Sequence, residues 1–141
     1  LRRIAAGPYS GRREDIMPID ATAPYDDSNI FARILRGEIP ANRVYENDHA
    51  LAFHDINPQA PVHILVIPKG AYVSWDDFSE RASDAEIAGF IRAVGRVARE
   101  AELVAPGYRL LANTGLASGQ EVPHFHVHIF GGRGLGPMLA R

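Results

Sequence analysis

His124, His126 and His128 alternate with Phe125, Val127 and Ile129 in the run Pro123-His124-Phe125-His126-Val127-His128-Ile129-Phe130. Imidazole is the side chain whose charge and lone pairs are most readily used near neutral pH. Strict alternation is the period of a half-buried β-strand, so the three rings share one face and the apolar side chains point into a core. Same-face neighbours on a strand sit roughly 6.5 to 7 Å apart, which lets a phosphate-sized group lie against the row. Burying three imidazoles together costs free energy unless each has a partner, so the pattern points to rings used as base, nucleophile or metal ligand.

A neutral imidazole with one nitrogen held by a hydrogen bond offers its other lone pair as a nucleophile, and phosphorus is a suitable target. His126, flanked on both sides, is the candidate. Its attack on a phosphoryl group gives a phosphorus–nitrogen intermediate, with His124, His128 or His63 to orient it, stabilise charge or move a proton. Metal binding is the competing use, since His-x-His can place two ligands on one cation and His63 could add a third. No Asp or Glu stands at a spacing that singles it out as a further ligand. The glycines from Gly115 to Gly119 allow backbone N–H groups to approach an anion, although such a loop alone is an ordinary turn.

The elements that must carry these rings can be read from period and punctuation. An N-cap at Asp27 or Ser28, with Ile30, Phe31, Ile34 and Leu35 at helical spacing and Gly37 after them, predicts a short helix. Val44-Tyr45 and Leu51-Ala52-Phe53 flank a polar stretch as a hairpin. His63-Ile64-Leu65-Val66-Ile67, between Pro61 and Pro68, reads as a central strand covered on both faces. Trp75 to Phe78 is a turn or short helix. Ser83-Asp84-Ala85-Glu86 has the form of a capping box, and Ile87, Phe90, Ile91, Val94 and Ala98 give the helix after it one apolar side, to about Ala101. Tyr108 to Ala112 and the histidine run complete five strands. The fold class is α+β, a five-stranded antiparallel sheet with one short and one long helix, leaving a sheet edge that a second copy could cover.

With 141 residues, 46% of them hydrophobic, the chain suits a single domain with its own core. A formal net charge of -2 argues against a dedicated nucleic-acid binder, though not against a nucleotide pocket. The sequence contains no cysteine, which excludes disulfides and thiolate metal sites. No apolar run approaches the roughly 18 residues that cross a bilayer, so no membrane partner is expected and the protein reads as soluble and cytoplasmic. Residues 1–25, with Arg2, Arg3, Arg12 and Arg13 but no sustained period, read as an extension that need not pack, and Met17 is a candidate start. The domain is expected over 26–141.

The run His124-Phe125-His126-Val127-His128-Ile129-Phe130 matches the histidine triad signature, His-φ-His-φ-His-φ-φ with φ apolar, and the chain resembles that superfamily over about 110 residues. Ser28-Asn29-Ile30-Phe31, Gly37-Glu38-Ile39-Pro40, Ala52-Phe53-His54-Asp55-Ile56, Pro58-Gln59-Ala60-Pro61 and Gly131-Gly132-Arg133 resemble its Hint branch, the purine nucleoside phosphoramidases, in bacterial form. The resemblance implies hydrolysis of a phosphorus–nitrogen bond in a purine nucleotide, without metal or cofactor, in two steps through nucleotidylated His126. It implies contact of His128 with phosphate and leaving group, a supporting network from His124 and His63, and polar contacts from Asn113, Gly119 and Gln120. Asp55 resembles the carboxylate that accepts from both ribose hydroxyls, beside a base pocket of Ile30, Phe31, Ile34, Phe53 and Ile56.

The resemblance also implies a homodimer in which two sheets join into one of ten strands. The sequence departs from animal members at Glu121, where they place a serine. An ionised carboxylate cannot make a serine's donation, so its side chain is expected to face the incoming amine and favour cationic leaving groups. The other functions weighed are dinucleoside polyphosphate hydrolysis, metal-dependent phosphoester hydrolysis and nucleotide binding without chemistry.

Overall fold

The structure is a computed structural model that describes residues 18–140. Its strands are β1 (Arg43–Glu46), β2 (Ala50–His54), β3 (Val62–Pro68), β4 (Arg109–Leu111) and β5 (Val127–Gly131). They form one antiparallel sheet in the order β1-β2-β3-β5-β4, so the apolar strand β3 lies at the centre as its composition demands. The helices are α1 (Ile30–Leu35), α2 (Trp75–Arg81), α3 (Asp84–Glu100) and α4 (Gly115–Ser118). The α+β class is the expected one; α2 is a full helix, and α4 stands where the sequence suggested only loop.

The alternation of side chains along β3 and β5 divides the molecule into layers. Ile64, Val66, Val127 and Ile129 pack with Phe90, Val94 and Val97 of α3 on one side of the sheet. Leu65 and Ile67 pack with Phe31 and Ile34 of α1 on the other, and His63 and His128 belong to this second face. The long helix starts where the capping box places it, with Ser83 and Glu86 bonded reciprocally. Asn29, rather than Asp27 or Ser28, caps α1 by accepting the Ala32 N–H at 2.9 Å. Ser28 is drawn backward instead, its N–H and hydroxyl both donating to Asp26.

One expectation is corrected. The histidine run does not form ladder from Pro123; β5 begins at Val127. Opposite the earlier part stands Pro68, which has no N–H to give, and its carbonyl lies 2.9 Å from the His124 ring, while Phe125 donates its N–H to Tyr72 instead. The alternation survives without the ladder. Phe125 enters the core, but His124 and His126 are buried as well, at 0% and 7% exposure, and of the three rings His128 alone is partly exposed.

The described residues before the expected boundary at residue 26 make contacts of their own. Ile19 donates its N–H to the Gln120 carbonyl and the Tyr25 hydroxyl meets His124, so the segment from 18 to 25 lies against the domain. The rest of the expected extension, 1–17 with Met17, lies outside the described residues. No helix among the described residues is long and apolar enough to cross a membrane.

Candidate active site

Strand register brings His63 and His128 together. His63 pairs with Phe130 across β3 and β5, and His128 with Leu65, which makes the two histidines diagonal neighbours. Their rings touch, with His63 Nε2 2.9 Å from His128 Nδ1. Phe130 stacks beside both, its ring parallel to that of His128 within 3°. On the other side of the row, Phe31 of α1 stands edge-on to His126 with centroids 5.0 Å apart.

Backbone groups determine where the protons sit. Gln59 N–H donates to His63 Nδ1 at 3.1 Å, so His63 carries its hydrogen on Nε2 and donates to His128 Nδ1. His128 therefore carries its own hydrogen on Nε2, facing away from the network. His126 Nδ1 is 2.7 Å from the carbonyl of His124, an acceptor only, so Nδ1 holds the hydrogen and Nε2 the lone pair. His124 donates from Nε2 to the Pro68 carbonyl and accepts at Nδ1 from Tyr25.

The same burial that orders the rings keeps them uncharged. Desolvation pushes His124 down to about 4, against the help of its bond to Pro68, and pushes His128 down to about 3, with His126 and His63 adding to the effect. His126 is lowered by burial although the His124 carbonyl and Asp55 both favour its charged form, and His63 is lowered by burial against Asp55. Lone pairs are thus present at neutral pH.

His126 and His128, with His63 and His124 set behind them, border a cavity of about 220 Å³ whose lining also includes Phe31, Asp55, Asn57, Gln59, Leu65, Asn113, Gly119, Glu121 and Val122. Among the described residues, two carboxylates and no lysine or arginine stand in this lining. Of the residues expected at a substrate, Phe31, Asp55, Asn113, Gly119 and Glu121 lie on the cavity wall. Ile34 and Phe53 are buried with α1 behind it. Ile30 and Ile56 are exposed, at 42% and 86%, outside the lining. Gln120 is turned inward, its amide donating to the carbonyls of Val73 and Val122 and its oxygen accepting the Gly115 N–H, so it braces the loop from within. Gly119 ends α4 at φ 80°, a left-handed backbone that suits glycine.

Leu65, Asn57, Gln59 and Val122 line the cavity without having been expected there. Leu65 was within reach of sequence reasoning, because it stands two residues beyond His63 and so shares its face. The fold also supplies a carboxylate that spacing did not reveal: Asp55, His63 and His128 offer donor atoms within 4.8 Å of one another. A cation there would need the His63 Nε2 lone pair, yet the Gln59 N–H on Nδ1 leaves Nε2 protonated. His63 and His128 are therefore arranged as a hydrogen-bonded pair, with Asp55 Oδ2 beside it at 3.4 Å from His63 Nε2.

This geometry has relatives. The family model described as the HIT domain matches residues 36–135. A 13.2 kDa HIT-like protein of Azospirillum brasilense is 68% identical over 117 residues, 83% of this chain and 96% of that one. The purine nucleoside phosphoramidase of Escherichia coli strain K12 is 44% identical over 114 residues, 81% of this chain and 95% of the relative. Among solved structures, a histidine triad protein from Clostridium difficile superposes with a TM-score of 0.71 at 39% identity, covering 82% of this chain and 100% of that one. A HIT family hydrolase from Clostridium thermocellum does so with a TM-score of 0.73 at 35% identity, covering 82% and 99%. Its alternating histidines and the sheet that presents them thus make this chain a member of the HIT domain family.

Proposed function

We propose that this protein hydrolyses the phosphorus–nitrogen bond of purine nucleoside 5'-phosphoramidates through a nucleotidyl group carried on His126. The observation that carries the reading is the His126 tautomer: Nδ1–H is tied to the chain's own His124 carbonyl, which leaves a neutral, unprotonated Nε2 on the cavity wall. Attack by Nε2 on phosphorus forms the new bond as the electron pair of the old one leaves with the amine. The amine takes up a proton, delivered from solvent or through His128, whose Nε2–H is free to meet the phosphoryl oxygen or the leaving nitrogen. Water then attacks phosphorus, releases the nucleoside monophosphate and restores His126. Asp55 would accept from the ribose hydroxyls with lone pairs left over from its bond to the Asn57 N–H.

Charge favours this substrate over a dinucleoside polyphosphate. Asp55 and Glu121 face the cavity with no cation among its described lining residues, so each extra phosphate charge is repelled, and a monoanionic phosphoramidate carries the fewest. Adenosine 5'-phosphoramidate and diadenosine tetraphosphate, assayed side by side with and without chelator, test the reading. The phosphoramidate is expected to turn over about a hundredfold faster, at a rate the chelator leaves unchanged. Faster cleavage of the polyphosphate, or loss of activity with chelator, would overturn it. The relative from Escherichia coli named as a purine nucleoside phosphoramidase supports the choice.

The same reading includes a homodimer. Among the described residues no strand pairs with the outer edge of β4, and beside it Trp75, Phe90, Ile91, Val94, Leu110, Leu111, Ala112 and Val127 line an apolar groove. Trp75, Ile91 and Leu110 are about half exposed there, at 49%, 52% and 49%, a surface that a second copy would cover while extending the sheet. Leu110→Asp is expected to shift the sedimenting species from dimer to monomer at micromolar concentration. A wild-type chain that sediments as a monomer would remove this part of the proposal.

A further inference from the structure

Residues 18–25 lie outside the family match, which spans 36–135, yet they clasp the site at two points. Ile19 N–H donates to the Gln120 carbonyl at 2.8 Å. The Tyr25 hydroxyl lies 2.6 Å from His124 Nδ1. Because the opposite nitrogen of that ring meets the Pro68 carbonyl, which can only accept, Nδ1 holds the lone pair and the phenol is the donor. Burial raises the phenol's pKa and keeps its proton in place. Between the two anchors Ala21 lies over Gly115 at the start of α4, within 3.6 Å of where a Cβ would stand.

The anchors fall at Gln120 and His124. The chain between them supplies Glu121 and Val122 to the cavity wall, and its last carbonyl, that of His124, takes the Nδ1–H of His126. A displacement of the His124 ring would therefore move the very group that fixes the tautomer of His126. His124 is wholly buried, so its Nδ1 has no water to replace a missing phenol.

We infer that residues 18–25 form a strap that holds the loop and the histidine run in register, and that Tyr25 is a positioning residue acting through His124 on His126. The consequence for turnover rests on the reading of His126 as nucleophile; the strap itself rests on geometry alone. Two substitutions in the full chain test it: Tyr25→Phe, which keeps the ring and removes the donor, and Ile19→Pro, which removes the other N–H without touching any side chain of the site.

The readouts are the ¹⁵N spectra of the histidine rings and the steady-state constants with adenosine 5'-phosphoramidate. Tyr25→Phe is expected to lower kcat about tenfold with KM changed by less than about twofold. Its spectra should show His126 passing from a single Nδ1–H tautomer to a mixture. A wild-type spectrum together with a wild-type kcat would overturn the assignment. Should Tyr25→Phe fail to fold, Ile19→Pro decides by the same two readouts. If the unaltered protein does not cleave the phosphoramidate, the functional reading fails, and the nitrogen spectra still decide the strap.

Discussion

His126→Ala is expected to lower phosphoramidate turnover by about a thousandfold or more, the scale on which enzymes lose rate when a covalent nucleophile is removed. The folded protein should survive the change. His126 stands on a cavity wall, where its ring meets Phe31 and His128 edge-on and makes one bond to its own chain, so truncation enlarges an existing space instead of opening a sealed one. His126→Asn sharpens the test, since an amide can still donate to the His124 carbonyl while having no nucleophilic nitrogen lone pair to form the adduct. Rapid quenching of the wild type with labelled substrate should trap label on the protein, and both variants should trap none. A variant that turns over normally would exclude His126 as the nucleophile. His128→Gln, which keeps an N–H near the phosphate, is expected to lose less.

Much of this arrangement is legible in the sequence because it depends on period. The alternation of His124 to Ile129 sends the rings one way and the apolar side chains the other, and Phe125, Val127 and Ile129 do enter the core beneath α3. The apolar run at 63–67 becomes the middle strand, and the Ser83-Glu86 pair starts the long helix where it stands. What could not be read is whatever depends on contacts between distant segments. Tyr25 is 99 residues from His124, and nothing in its neighbourhood marks a phenol as the partner of a buried ring. Gln120 looks like a ligand-binding amide in a glycine-bearing loop, and only the carbonyls of Val73 and Val122 reveal that its hydrogen bonds are used internally. The ladder stops short of His124 because of Pro68, a residue of another strand, whose effect on its neighbour no local pattern encodes.

Acidification should destabilise the protein before its carboxylates titrate. In the unfolded chain a histidine takes a proton near pH 6.5, whereas the folded protein holds His124 down to about 4 and His128 down to about 3, with His126 and His63 lowered as well. Between those values the unfolded chain binds more protons than the native one, so stability falls as pH falls, and the loss for each ring is complete only below its folded pKa. His124 alone should cost about 2 kcal/mol between pH 7.5 and pH 5, and His128 acts in the same direction. Against a total of roughly 5 to 15 kcal/mol for a domain, that is a large share.

The carboxylates whose pKa is lowered by ion pairs and hydrogen bonds, such as Glu46 and Asp77, lose their contribution below this range. Urea unfolding at pH 7.5, 6 and 5 should therefore give a rising slope of stability with pH. His124→Gln should reduce the mean slope over this range by about 0.8 kcal/mol per pH unit, most steeply near pH 5, whatever it does to stability at pH 7.5. A stability that stays flat from pH 7.5 to pH 5 would mean the rings are not held neutral by burial. The site would then lose the property on which the proposed role of His126 Nε2 rests: a ring kept unprotonated by the fold draws on the same free energy that acid takes from the fold's stability.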